Sequence, residues 1–104
     1  MIEFQYFDGC PNAAQTLENL KAALRTLNRT EANLLLREVP SPELAETLNF
    51  QGSPTILING IDIYTGKEPD SFNYTCRIYN FSGKKTGIIP QTFIEEKLKE
   101  ALLS

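Results

Sequence analysis

The chain has 104 residues, 41% apolar and 22% charged, which makes one globular domain the natural count and leaves no room for a second core. Its formal charge of −3 arises from 13 acidic and 10 basic residues interleaved along the sequence, so neither nucleic acid nor a membrane is an expected partner. There is no histidine, which removes imidazole-based zinc sites and every Cys–His or Ser–His catalytic pair.

The first segment, Ile2-Glu3-Phe4-Gln5-Tyr6-Phe7, alternates in a way that suits a strand with one face more buried. No basic stretch leads into a long apolar one, so no signal peptide is expected, and no apolar run approaches the ~20 residues that span a bilayer. A cytoplasmic setting follows as the expectation. In that setting Cys10 and Cys76 stay reduced rather than forming a permanent bridge.

The turn Phe7-Asp8-Gly9-Cys10-Pro11-Asn12 leads into a helix predicted from about Pro11 to Asn28. Ala13, Leu17, Leu20, Leu24 and Leu27 form its apolar stripe, and Pro11 fits the first helical position, where a missing amide costs nothing. Cys10 therefore stands at a helix N-terminus, where unpaired amides and the positive end of the dipole favour thiolate over thiol. Asn33 to Val39 is a short apolar run, predicted as a strand buried on both faces. Ser41-Pro42-Glu43 combines a cap, a first-turn proline and an early acid, announcing a brief helix that ends near Asn49 with Leu44, Ala45 and Leu48 inward.

Thr55 to Ile58 and Ile61 to Tyr64 are predicted strands joined by Asn59-Gly60, a strong hairpin signal because both turn positions take positive φ. Residues 65–89 form an extended loop insertion, longer than an ordinary connection. Its Phe72, Tyr74, Ile78, Tyr79 and Phe81 predict that it folds back onto the domain. Pro90 to Leu103 closes the chain as a helix with Ile94, Leu98, Ala101 and Leu102 on one side and Glu95 paired with Lys99 on the other. The order β-α-β-α-β-β, loop, α predicts an α/β domain with a four-stranded mixed sheet and helices on both faces.

These residues resemble the thioredoxin superfamily in its minimal glutaredoxin-like form. Three features carry the likeness over nearly the whole chain: the element order, a cysteine opening the first helix in Cys10-Pro11-Asn12-Ala13, and Gly52-Ser53-Pro54-Thr55 before the third strand. Together with Cys76-Arg77-Ile78-Tyr79, the wording is similar to a group of small bacterial thioredoxin-like proteins, some named for a link to alkylmercury lyase. The resemblance implies that the Ser53–Pro54 bond is cis, that it faces the Cys10 sulfur, and that it leaves a backbone edge for an extended substrate. It also implies that Pro11, Ser53 and Pro54 contact substrate. One departure is large. Dithiol members carry a second cysteine three residues after the first, and here that position is Ala13.

Cys10 reads as a nucleophile under this resemblance and as a small core hydrophobe without it. Cys76 is either a core thiol or the partner that resolves a mixed disulfide, with Arg77 favouring its thiolate or pointing to solvent. Asp8 reads as a turn residue, with proton acceptance as the alternative, and Tyr6, Tyr64, Tyr74 and Tyr79 read as packing. The leading expectation is a thiol–disulfide oxidoreductase acting on protein or glutathione disulfides, with no bound cofactor and no resident metal. Three alternatives stand beside it: a two-thiolate carrier of a soft ion such as mercury(II) or copper(I), an iron–sulfur site shared between chains, and a non-catalytic adaptor.

Overall fold

The computed structural model describes residues 1–29 and 33–103; the side chains of Leu102 and Leu103, and with them the inward role expected of Leu102, lie outside the described residues. The elements are β1 (Ile2–Tyr6), α1 (Ala13–Thr26), β2 (Leu34–Glu38), α2 (Pro42–Leu48), β3 (Thr55–Ile58), β4 (Ile61–Asp62), β5 (Tyr79–Phe81), β6 (Lys84–Thr86) and α3 (Gln91–Leu103). A mixed sheet runs β2-β1-β3-β4, with β1 parallel to β2 and antiparallel to β3, and β5-β6 form a separate hairpin.

Local chemistry accounts for most of these boundaries. The Ser41 hydroxyl accepts the Leu44 amide at 3.2 Å, capping α2, and Asn49 ends it in the left-handed region at φ 54°. Asn59 and Gly60 both have positive φ, 52° and 83°, as a two-residue hairpin turn requires. The main core joins Ile2 and Phe4 of β1, Ile56 and Ile58 of β3, Leu20 and Leu24 of α1, and Ile94 and Leu98 of α3. A second cluster joins Val39, Ala45 and Phe50, with Phe7 and Tyr74 packed against it.

Four expectations change. β4 stops at Asp62 rather than reaching Tyr64, because the Asp62 carboxylate accepts the Tyr64 amide at 2.8 Å and turns the chain. β2 is an edge of the sheet rather than a strand buried on both faces, so Leu36 is 47% exposed. α1 begins at Ala13, leaving Pro11 exposed in the turn rather than at the first helical position; the Ala13 amide bonds back to the Cys10 carbonyl at 3.3 Å. In α3, Glu95 accepts from Gln91 at 2.8 Å rather than pairing with Lys99, and Lys97 pairs with Glu100 at 3.3 Å.

Residues 65–89 do fold back. Their first half is stitched to the segments flanking α2 by Asn73 N–H to Phe50 O at 2.7 Å and Tyr74 OH to Val39 O at 2.9 Å. The Phe7, Phe50 and Tyr74 rings meet there, Phe7 and Tyr74 with centroids 5.3 Å apart. The second half carries the β5-β6 hairpin, whose Tyr79 and Phe81 pack with Tyr64 and Phe93. Aromatic burial is what holds a stretch with little regular structure in one place.

Candidate functional site

β1 ends at Tyr6 and the chain turns through Gly9 at φ 87°, with the Cys10 amide bonded back to the Phe7 carbonyl at 3.4 Å before α1 begins. Its residue is only 8% exposed, and its sulfur donates to the Ser53 carbonyl at 3.6 Å. The same Ser53 anchors the turn from the other direction, because its hydroxyl accepts the Phe7 amide at 3.4 Å. The Ser53–Pro54 bond is cis, the isomer the resemblance implies, and both residues are buried.

Ser53 also holds the second cysteine. Its N–H donates to Thr75 O at 3.0 Å and its carbonyl accepts the Arg77 amide at 2.9 Å, a parallel bridge centred on Cys76. The backbone edge expected to stand open for an extended substrate is therefore occupied by the protein's own strap, Thr75–Arg77. Gly52 permits this approach. Its φ is +111°, and a Cβ there would meet Thr75 O at 3.0 Å and Arg77 Cβ at 3.1 Å.

Cys76 is exposed and unbridged. Partial desolvation raises its thiol pKa above the ordinary value even though the residue as a whole faces solvent. The negative charge that Cys10 carries when ionised and a hydrogen bond between the two thiols push it the same way. The two sulfurs are thus neighbours although 66 positions separate them in sequence (76 minus 10).

Arg77 neither faces solvent nor serves the Cys76 thiolate. Its guanidinium turns inward to Asp62 Oδ2 at 2.6 Å and Thr55 Oγ1 at 3.1 Å, and lies 4.7 Å from the Tyr79 ring centroid and 5.5 Å from that of Tyr64. The side chains of this ion pair are 10% and 1% exposed. The Tyr79 hydroxyl donates to the Pro54 carbonyl, and burial pushes the Tyr79 pKa upward, with Arg77 opposing and Asp62 adding to the shift. Asp62, Thr55 and Tyr79 thus form a buried polar anchor under the strap that sequence reading missed. No local pattern signals a partnership between Asp62 and Arg77; only the fold brings them together.

On its other side Cys10 borders a groove of about 260 Å³ between α1 and the β1-β2 pair, with Phe4, Leu17 and Leu36 among its walls. Ser53, Pro54 and Cys76 do not line it. Asp8 does, exposed at the turn, while Pro11 is exposed and does not. Tyr6 lines the groove, and Tyr64, Tyr74 and Tyr79 serve packing. Among the described residues no group of three or more acidic, cysteine or histidine side chains is placed to hold a metal, and no helix is long and apolar enough to cross a membrane. No protein family, no curated protein and no solved structure matches the chain.

Proposed function

We propose that the protein exchanges thiols with disulfides through Cys10 and Cys76, on a thioredoxin-like domain of glutaredoxin size working in the cytoplasm. A Cys10 thiolate attacks an external disulfide; one S–S bond breaks as another forms, and the first external sulfur leaves as thiolate. Cys76 loses its proton, attacks the Cys10 sulfur and expels the second external thiolate, closing a Cys10–Cys76 disulfide. Two protein thiols are oxidised and one external disulfide becomes two thiols. Run in reverse, the same steps oxidise an external dithiol.

The observation that carries this reading is the strap bridged to Ser53, which sets Cys76 beside the residue whose carbonyl holds the Cys10 thiol at 3.6 Å. It supplies a second sulfur in place of the one that Ala13 lacks. The raised pKa of Cys76 supports the resolving role, since a thiol that keeps its proton competes poorly as the first nucleophile. The β-α-β-α-β-β order with a closing helix, and the Cys10 turn held against Ser53, support the thioredoxin-like assignment.

The test is to treat reduced protein with hydroxyethyl disulfide and weigh the products. The wild type is expected to lose two hydrogens and carry no adduct, whereas Cys76→Ser is expected to stop at a mixed disulfide on Cys10. A wild type that ends with separate adducts on both cysteines would overturn the proposal.

The same contact favours a second reading. Two adjacent thiols without a third ligand among the described residues suit linear binding of copper(I) or mercury(II). It predicts tight binding of one ion per chain, lost in Cys10→Ser and in Cys76→Ser alike; binding that survives either change removes it.

A further inference from the structure

We infer that the substrate delivered to Cys10 is a small, uncharged, apolar disulfide, and that neither an extended polypeptide strand nor an anionic disulfide such as oxidised glutathione suits the site. This rests on the exchange chemistry proposed above and adds to it the chemical class of the partner. Two independent observations carry it.

The first is that the backbone beside the sulfur is already paired. Ser53 has one N–H and one carbonyl to offer a strand, and Thr75 O and Arg77 N–H take both, at 3.0 and 2.9 Å. A polypeptide that recognises its partner by main-chain hydrogen bonding needs those groups free. Displacing the strap to free them would also strand Asp62, buried at 1% exposure, without its Arg77 partner. Approach along Ser53 is therefore closed, and the groove on the other side of Cys10 remains.

The second is the character of that groove. Phe4, Tyr6, Phe7, Leu17 and Leu36 present an apolar lining, and the one charged side chain in it is the acid Asp8. No lysine or arginine lines it among the described residues. A carboxylate entering it would lose hydration with no cation to replace the water and with Asp8 repelling it. The formal charge of −3 adds to the repulsion at longer range. A neutral apolar group instead covers Leu36, which the edge position of β2 leaves 47% exposed beside the groove. The volume of about 260 Å³ suits a small molecule.

The experiment compares two chromogenic aromatic disulfides that differ in charge, neutral dithiodipyridine and dianionic dithiobis(nitrobenzoate). Cys76→Ser protein is used so that Cys10 is the reacting thiol, and each rate is divided by the rate of mercaptoethanol with the same reagent. The neutral reagent is expected to be favoured by about tenfold or more, the discrimination a small apolar pocket supplies. Leu36→Lys is expected to reduce that preference severalfold, and Asp8→Asn to narrow it through the anionic arm alone. Equal normalised rates, or faster reaction with the dianion, would overturn the inference. So would preferential reduction of a protein disulfide such as insulin by the wild type. If wild-type protein forms its internal Cys10–Cys76 disulfide while showing no charge preference, the exchange chemistry stands and this inference alone falls; if no internal disulfide forms with either reagent, both fall.

Discussion

The two cysteines sit in regions of opposite character. Cys10 lies in a tight turn between β1 and α1, nearly closed from solvent, with its surroundings set by residues close in sequence such as Phe7 and Ala13. Cys76 lies on an exposed strap outside the main sheet, and what holds it is remote in sequence: Ser53, Gly52, and the Asp62 carboxylate that grips its neighbour Arg77. One thiol is positioned by local chain geometry together with Ser53, and the other by tertiary contacts alone. Their meeting is therefore as dependable as the anchor under the strap, and perturbing that anchor should separate the two regions.

Arg77→Met is expected to have the largest effect. It leaves Asp62 buried without its countercharge, which costs about 3–5 kcal/mol, measurable by denaturant unfolding. In the folded fraction, closure of the Cys10–Cys76 disulfide should slow while alkylation of Cys10 does not. Equal slowing at both sulfurs would mean that Arg77 supports the whole domain and not the strap in particular.

Gly52→Ala comes next. The added methyl meets Thr75 O and Arg77 Cβ at 3.0 and 3.1 Å from a backbone at φ +111°, so strain of about 1–3 kcal/mol is expected. Internal disulfide closure should slow here too, because the strap is what must move. An unchanged melting temperature and closure rate would show that the strap is held less tightly than its hydrogen bonds imply.

The smallest effect sharpens the comparison without breaking it. Alkylation of Cys76, followed peptide by peptide against pH, should rise to a midpoint above the ordinary cysteine value, because desolvation and then Cys10 raise its pKa. Cys10→Ala removes the charge and the thiol hydrogen bond but not the desolvation, so the midpoint should move down part of the way. A midpoint that stays put would mean that the two sulfurs do not sense one another.

Much of the main sheet and its helices was legible in the sequence because each signal is short-range. Alternation gives β1, Ser41-Pro42-Glu43 caps α2, and Asn59-Gly60 closes the hairpin. Leu34 to Glu38 was recognisable as a strand, yet its burial was misjudged, since edge and centre are properties of the sheet and not of the segment. Pro11 fell outside the helix it was expected to open, because the chain first makes a turn whose Cys10 carbonyl takes the Ala13 amide. At the Cys76 end the aromatic residues showed that the segment folds back, but not where the Cys76 and Arg77 side chains come to lie. Where the guanidinium points depends on Asp62, fifteen residues away in β4, and no periodicity encodes that pairing.

The Ser53 carbonyl receives two hydrogens, one from the Cys10 thiol and one from the Arg77 amide. A sulfur engaged in a disulfide has no hydrogen to give, so oxidation at Cys10 would leave this oxygen with the amide as its protein donor. The chemical state of a sulfur is thereby registered by main chain two residues upstream of β3, and the bond that remains is the one gripping the strap.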